Sequence, residues 1–205
     1  MRKWRNDKFQ MNKSELRKIY LDRQKSLSDA ERDGKSQRVA DLFFENFDVE
    51  RIRFLHVFLA IGKNREVETA FIYDRVWHDF PQTRLIVSRV NFQSMTLENL
   101  RFAPETKLVK NRWHILEPTE SELVEIEKID ACLVPLLCFD FQGFRVGYGK
   151  GFYDKFLSEC RADCLKIGLS YFAPVEEISD AQSFDVRLDY CITPEKIFTA
   201  ETRRR

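Results

Sequence analysis

The chain has 205 residues, of which 43% are hydrophobic and 33% are charged, and its formal net charge is +1. This length buries a sizeable core in one domain or in a domain with a small appendage. A net charge near zero gives no electrostatic reason to expect a nucleic acid or a membrane surface as partner, and no apolar stretch reaches the ~18 residues of a membrane-spanning helix.

The ends of the chain are predicted to lie outside the domain. Residues 1–10 are basic and lack the apolar region of a secretory signal, so we expect a flexible extension there, with Met11 as an alternative start. We expect a single α/β domain over residues 11–200 and a basic tail over residues 201–205. The five cysteines form no CxxC pair, which favours reduced, mostly buried thiols in a cytoplasmic protein over zinc ligands.

The first half of the chain predicts helices followed by strands. Residues 13–25 carry an apolar stripe of helical spacing. Ser28 and Glu31 have the spacing of a capping box, so a second helix should begin there and run to about residue 44. Residues 53–61 and 84–90 are apolar runs typical of buried strands, and residues 69–79 fit a helix between them.

The second half repeats this alternation. Short strands are predicted within residues 97–116, a short helix over 122–128, a buried strand over 131–139, a helix over 152–160, and strands over 165–171 and 190–193. Strands that alternate with helices favour a three-layer α/β/α fold with a mainly parallel central sheet, on which the N-terminal helices pack.

A glycine-rich loop follows the strand at 131–139. Four of the seven glycines lie between Gly143 and Gly151, and Arg145 and Lys150 add two cations. Glycine lets a backbone approach an anion closely, and the N–H groups at the start of the next helix point at it. The segment therefore predicts phosphate binding, with a flexible surface turn as the alternative.

The loop matches neither common nucleotide motif. A Walker A loop would need glycine at position 144, which is Phe144, and serine or threonine at position 151, which is Gly151. A dinucleotide fingerprint would need glycine at position 152, which is Phe152. The spacing supports polyphosphate binding by a different kind of loop.

Two other features carry charge suited to a triphosphate. Lys13 and Arg17 share one face of the first helix and either hold a phosphate tail or are solvated surface cations. Asp154, in the first turn of the helix after the loop, either complements the helix dipole or holds Mg²⁺ beside phosphate oxygens. Asp185 and Asp189 are both candidates for a second metal carboxylate.

The segment from Arg145 to Asp154 closely resembles the signature of the 5-formyltetrahydrofolate cyclo-ligase family, also called 5,10-methenyltetrahydrofolate synthetases. The resemblance spans most of the chain. Further matching elements occur in the family's order: residues 13–17, residues 66–69, residues 116–118, Asp185, residues 188–189 and residues 192–193.

The resemblance implies conversion of 5-formyltetrahydrofolate to 5,10-methenyltetrahydrofolate, with ATP as co-substrate and Mg²⁺ as cofactor. It implies a cytoplasmic enzyme that acts on a reduced folate without nucleic acid or membrane, and we expect a monomer. Arg145 and Lys150 would be catalytic, and Asp154 and Asp185 would hold the metal. ATP would contact Lys13, Ser14, Glu15, Leu16, Arg17, Arg145, Val146, Gly147, Tyr148, Gly149, Lys150, Gly151, Phe152 and Tyr153. The folate would contact Leu59, Glu66, Tyr148, Gly149, Lys150, Gly151 and Phe152.

Other candidates have mainly structural interpretations. Arg89 and Trp113 are weaker pocket candidates, with a core or surface role as the alternative. His56 is expected to be structural, His78 exposed and His114 in a solvent-facing turn. Two other functions stay open: a catalytically silent regulator that binds folate or nucleotide, and an ATP-dependent enzyme of the same fold that acts on another amide.

Overall fold

The computed structural model describes residues 10–91, 93–94, 96–111 and 115–200. Trp113, His114, residues 1–9 of the expected extension and the expected tail lie outside the described residues. The α-helices are α1 (Lys13–Lys25), α2 (Asp29–Asn46), α3 (Ala70–Asp79) and α4 (Phe152–Glu159). The strands are β1 (Phe54–His56), β2 (Arg84–Asn91), β3 (Thr96–Phe102), β4 (Leu108–Lys110), β5 (Leu116–Pro118), β6 (Ala131–Pro135), β7 (Cys138–Phe139), β8 (Arg145–Val146), β9 (Leu165–Leu169), β10 (Tyr190–Ile192) and β11 (Ile197–Thr199).

Capping boxes start the two N-terminal helices. The box predicted for α2 is confirmed, since the Glu31 N–H donates to Ser28 Oγ and the Ser28 N–H donates to the Glu31 carboxylate. A second box starts α1, where Asn12 caps the helix and Glu15 accepts the Asn12 N–H. These contacts satisfy N–H groups that a helix start otherwise leaves without partners.

A seven-stranded sheet forms the centre, in the order β11-β10-β9-β6-β1-β2-β3. The five inner strands are parallel, whereas β3 and β11 run antiparallel at the two edges. The predicted mainly parallel sheet is therefore confirmed. Parallel strands that are covered on both faces are apolar throughout, as β6 is.

Helices cover both faces of this sheet. Side chains from α2 and α3, such as Phe43 and Ile72, share one buried cluster with Leu133 of β6. On the other face, Phe156 and Leu157 of α4 pack with Val134 of the same strand. Burial of such aliphatic and aromatic side chains contributes about 1.5–3 kcal/mol each.

Helix α1 packs mainly on a hairpin that extends from the sheet. The hairpin consists of β7 and β8 and follows the carboxyl end of β6. Leu16 and Tyr20 of α1 lie in one cluster with Cys138 and Val146 of the hairpin. The hairpin interrupts the single strand predicted over 131–139, and it places α1 beside the loop that follows β8.

Strand β1 is shorter than predicted, because the chain leaves the sheet after Val57. The Val57 N–H still donates to Ile86 of β2, but the Ile61 N–H donates to the Glu66 side chain. The helix predicted over 122–128 is a 3₁₀ turn, Ile126–Lys128, and β11 had no prediction. Within the described residues, no helix is both long enough and apolar enough to cross a membrane.

Candidate active site

The glycine loop connects β8 to α4 at the carboxyl side of the parallel sheet, where ligands bind in open α/β folds. Gly149 and Gly151 have φ values of 85° and 73°, a left-handed conformation that favours glycine. Gly151 is the N-cap of α4 and offers no side chain, so among the described residues no side chain caps the first N–H groups of the helix. These donors suit an anion.

The buried carboxylate of Asp140 fixes the start of this loop. It accepts the N–H groups of Gln142 and Phe144 within the hairpin turn and the N–H of Ile178 from a distant segment. Burial raises the pKa of Asp140, and these backbone hydrogen bonds lower it in opposition. The hydrogen bonds of Asp140 therefore hold the hairpin turn, and with it the start of the glycine loop, in a fixed position.

Helix α1 contacts the loop through Arg17. Its Nε donates to the Gly147 carbonyl oxygen at 2.9 Å. Its guanidinium also lies beside Gly149, so closely that a Cβ at position 149 would lie 3.1 Å from it. The sequence predicted that Arg17 and the loop both contact ATP. In the structure, Arg17 is in direct contact with the loop.

Lys13 and Asp185 form an ion pair at the N-terminal end of α1. Lys13 Nζ lies 2.5 Å from Asp185 Oδ2, and only 10% of the Asp185 side chain is exposed. The alternative metal candidate, Asp189, instead accepts the Lys166 N–H of β9. Asp185 thus lies beside a predicted ATP residue, whereas Asp189 is bonded to the inner strand β9.

The other predicted ATP residues of α1 have structural roles in the fold. Leu16 is fully buried in the cluster under the hairpin. The N–H groups of Ser14 and Glu15 donate to the capping Asn12. Only Lys13 and Arg17 of this segment place a charged side chain against residues of the candidate site.

Arg145 is buried and pairs with Asp154. Its Nη2 lies 2.7 Å from Asp154 Oδ1, and its Nη1 donates to the Val186 carbonyl oxygen. The Arg145 side chain is 5% exposed, whereas that of Asp154 is 39% exposed. A predicted catalytic cation and a predicted metal ligand therefore form one unit across the loop.

Lys150 is an exposed cation on the same loop. Within the described residues, its ammonium has no hydrogen bond or ion pair. An ammonium without a protein partner at a loop rich in N–H donors is suited to an anionic ligand.

Glu66 lies on the other side of the loop and is buried. Its Oε2 accepts the Ile61 N–H at 2.8 Å. Burial raises its pKa to about 7, while hydrogen bonding from Ile61, the Tyr148 hydroxyl and Asn64 opposes that rise. Its backbone carbonyl accepts from Tyr171 and Arg32, which fixes the segment against α2.

The remaining loop residues lie between these two sides. Tyr148 faces Glu66, and burial raises the pKa of its hydroxyl. Phe152 is partly exposed at the start of α4. The Tyr153 ring packs edge-on against His56 under the loop. Leu59, predicted to contact folate, is half-buried and packs against the core cluster of the sheet.

Sequence reasoning missed Gln24 of α1. Its side-chain amide donates to Tyr148 Oη at 2.9 Å and to the Asn64 carbonyl oxygen at 2.7 Å. A signal was available, because Gln24 continues the inward stripe of Leu16 and Tyr20 at a spacing of four. A polar residue on that stripe indicates a buried hydrogen-bonded group.

The other candidate residues have the contacts or exposure expected of residues outside the site. Arg89 donates to Glu98 through Nε and Nη2, which supports its structural interpretation. His56 is buried as expected, and burial lowers its pKa to about 3. His78 is exposed as expected. The cysteines are mostly buried thiols, as the sequence predicted.

The chain matches the model of the 5-formyltetrahydrofolate cyclo-ligase family over residues 10–194. It belongs to this family. The match includes every candidate residue above, from Lys13 to Asp185. It confirms the resemblance that the glycine loop carries.

Relatives and solved structures of the cyclo-ligase family agree with this assignment. The 5-formyltetrahydrofolate cyclo-ligase of Escherichia coli strain K12 is 25% identical over 179 residues, which are 86% of this chain and 97% of that protein. The 5,10-methenyltetrahydrofolate synthetase structure from Aquifex aeolicus has a TM-score of 0.78 and 28% identity, covering 94% of this chain and 95% of the other. The synthetase structure from Mycoplasma pneumoniae has a TM-score of 0.71 and 25% identity, covering 90% and 100%.

Proposed function

We propose that this protein converts 5-formyltetrahydrofolate and ATP to 5,10-methenyltetrahydrofolate, ADP and phosphate, with Mg²⁺. One observation carries the proposal: the glycine loop lies between two differently built sides. Arg17 contacts the loop at Gly147 on a cationic side, and Tyr148 faces the buried carboxyl of Glu66 on the other. Two substrates bound on these sides would meet at the loop.

The reaction must activate a poor electrophile. In the first step, the formyl oxygen attacks the γ-phosphorus of ATP, the bond to the bridging oxygen breaks, and ADP leaves. In the second step, N10 attacks the formyl carbon, loses its proton, and the carbon–oxygen bond to phosphate breaks. Such phosphoryl transfer depends mainly on positioning and charge neutralisation.

The cations of the site suit the first step. The N–H groups at the start of α4 and the side chains of Lys13 and Arg17 are proposed to hold the triphosphate. Lys150, which has no partner among the described residues, is free to neutralise charge on the transferring phosphoryl group. Arg145 is held in place by Asp154 and Val186, so its charge is preorganised beside the loop.

Asp154 and Asp185 fit a magnesium site shared with phosphate oxygens. Within the described part of the chain, the hydrogen bonds of Asp154 use Oδ1 and those of Asp185 use Oδ2. Each carboxylate therefore has a second oxygen to offer. Mg²⁺ favours one or two carboxylates together with phosphate oxygens, and it would supply neutralisation of phosphate charge. The described residues contain no cluster of three or more acidic, histidine or cysteine ligands, which suits a metal that substrate phosphates complete.

Glu66 is proposed to bind the reduced folate. Its buried carboxyl can accept a hydrogen bond from an N–H group of the pterin, and the aromatic side chains of Tyr148 and Phe152 can pack against the flat ring. Leu59 would contribute apolar contact from the same side.

The decisive experiment mixes purified protein with MgATP and 5-formyltetrahydrofolate and follows the near-ultraviolet absorbance of methenyltetrahydrofolate. We expect a signal that requires both ATP and Mg²⁺. Folded protein that produces no such signal would refute the proposal. ADP release without methenyltetrahydrofolate, when another N-formyl compound is supplied, would favour the alternative amide substrate.

A further inference from the structure

Gln24 is a buried amide whose orientation is determined by its partners. Its residue is 2% exposed, and its Nε2 lies 2.7 Å from the Asn64 carbonyl oxygen. A carbonyl oxygen only accepts hydrogen bonds, so the amide nitrogen must face it. The same nitrogen lies 2.9 Å from Tyr148 Oη. Its two hydrogens therefore go to Asn64 and to Tyr148.

This geometry decides where the Tyr148 hydroxyl sends its own proton. The hydroxyl accepts from Gln24, whose other amide hydrogen holds the Asn64 carbonyl two residues before Glu66, so the proton of the hydroxyl is left for another acceptor near this segment. The pKa of Glu66 is lowered by hydrogen bonding from this hydroxyl, so the Glu66 carboxyl is the acceptor. The amide, the hydroxyl and the carboxylate thus form a directed chain from α1 through the glycine loop to Glu66.

A separate hydrogen bond holds the loop on the side that is proposed to bind ATP. Arg17 Nε donates to the Gly147 carbonyl oxygen without involving Gln24. Two neighbouring loop residues are therefore fastened to one helix by different side chains, seven residues apart. Removing the amide should leave the Arg17 contact intact.

We propose that Gln24 is a positioning residue that directs the Tyr148 hydroxyl to Glu66 and thereby sets folate binding from helix α1. This inference rests on the proposed function, because it takes Glu66 as a folate-binding group. It assigns to α1 a role on the folate side in addition to its contacts on the ATP side. Gln24 acts through Tyr148 and Glu66 and is not itself a catalytic residue.

The groups around Glu66 give the proposal a measurable signature. Hydrogen bonding from Tyr148 lowers the pKa of Glu66, so loss of that bond should raise the pKa further above about 7. Other ionisable or charged groups near Glu66 are Glu68 on its own segment, Arg32 of α2, Tyr171 after β9 and Tyr153 of α4. A substitution at Gln24 leaves all of these in place.

The test compares Gln24→Leu, Tyr148→Phe and the double variant, with Gln37→Leu on the exposed face of α2 as a matched control. We expect Gln24→Leu to raise KM for 5-formyltetrahydrofolate about three- to tenfold, the range of one lost hydrogen bond, and to leave KM for ATP within about twofold. The limb of the pH profile near pH 7 should move to higher pH. In the Tyr148→Phe background, Gln24→Leu should raise KM for 5-formyltetrahydrofolate less than it does in the wild-type protein, because the effect of Gln24 on folate passes through that hydroxyl.

A second readout does not require activity. Carbon-13 NMR of the glutamate carboxyl groups, with Glu66 assigned by comparison with Glu66→Gln, gives the pKa of Glu66 in each variant. The proposal predicts an upward shift in Gln24→Leu and none in Gln37→Leu. It is overturned by an unmoved Glu66 titration, or by equal rises in KM for both substrates with an unmoved pH profile. If the wild-type protein shows no turnover, the proposed function fails, and the titration alone decides the link from Gln24 to Glu66.

Discussion

Nη2 of Arg145 and Oδ1 of Asp154 lie 2.7 Å apart, although one residue lies in β8 and the other in the first turn of α4. This ion pair closes the glycine loop at its two ends. The guanidinium is almost fully buried and also donates to the Val186 carbonyl, whereas the carboxylate keeps one side open to solvent. The ion pair therefore fixes the Asp154 carboxylate, a candidate metal ligand, relative to the two ends of the loop.

Arg145→Lys should be damaging although it keeps the charge. A single ammonium cannot donate to both Asp154 and Val186 in the fork geometry of a guanidinium. We expect a loss of about 1–3 kcal/mol in the free energy of unfolding and at least a tenfold fall in kcat, measured by urea titration and steady-state kinetics. Arg161→Lys is the control, since the Arg161 guanidinium also bridges two separate acceptors, the carboxylates of Asp130 and Asp163, but is more exposed. Equal effects in the two variants would contradict a special role for Arg145.

Lys150→Ala should lower the activity without changing the stability of the fold. The side chain is exposed and has no partner among the described residues, so the melting temperature should be unchanged. We expect kcat to fall about 10²-fold or more if the ammonium stabilises the transferring phosphoryl group. Lys155→Ala, which removes another exposed lysine only five residues away on α4, should retain activity. Unchanged kinetics in Lys150→Ala would remove this residue from the mechanism.

Gly149→Ala tests the shape of the loop. Residue 149 has a left-handed φ of 85°, and an added Cβ would lie 3.1 Å from the Arg17 guanidinium. We expect a loss of about 1 kcal/mol or more in the free energy of unfolding and a higher KM for ATP, because Arg17 must move. Gly147→Ala is the matched control for stability, since no atom of the described residues lies within 4 Å of its added Cβ and its φ is not positive. A stability loss in Gly147→Ala as large as that in Gly149→Ala would argue against this explanation.

Glu66→Gln should stabilise the protein at high pH. Burial raises the pKa of Glu66 from 4.5 to about 7, so the folded state holds its proton more tightly than the unfolded state. The favourable contribution of the protonated form is complete below about pH 4.5 and is lost as the pH rises to about 7. The gain from the substitution should therefore grow across this window and level off above it, at a magnitude on the order of 3 kcal/mol.

Urea unfolding of both proteins at several pH values measures this difference. Glu45→Gln, at an exposed position of α2, should show a small difference that does not follow this window. A Glu66→Gln gain that is constant with pH would show that Glu66 titrates normally in the folded protein. The same variant should bind folate more weakly if the carboxylate is the acceptor for a pterin N–H group.

Local sequence patterns determined most of the fold. Residues 13–25 and the Ser28 capping box predict α1 and the start of α2, since caps and apolar spacing act over a few residues. The apolar run at 131–139 predicts a strand buried on both faces, because such a strand is apolar throughout, and its first part forms β6. The alternating glycines and their cations identified the anion-binding loop and the family, because that segment is contiguous in the sequence.

Only the tertiary structure decided how distant residues meet. The pairing of Lys13 with Asp185 joins residues 172 positions apart, and the contact of Gln24 with Tyr148 joins residues 124 positions apart. The β7–β8 hairpin, which carries α1 to the loop, depends on Asp140 receiving N–H groups from two separate segments. The raised pKa of Glu66 likewise follows from burial by several elements at once. These properties arise from packing and long-range hydrogen bonds, so no local pattern in the chain encodes them.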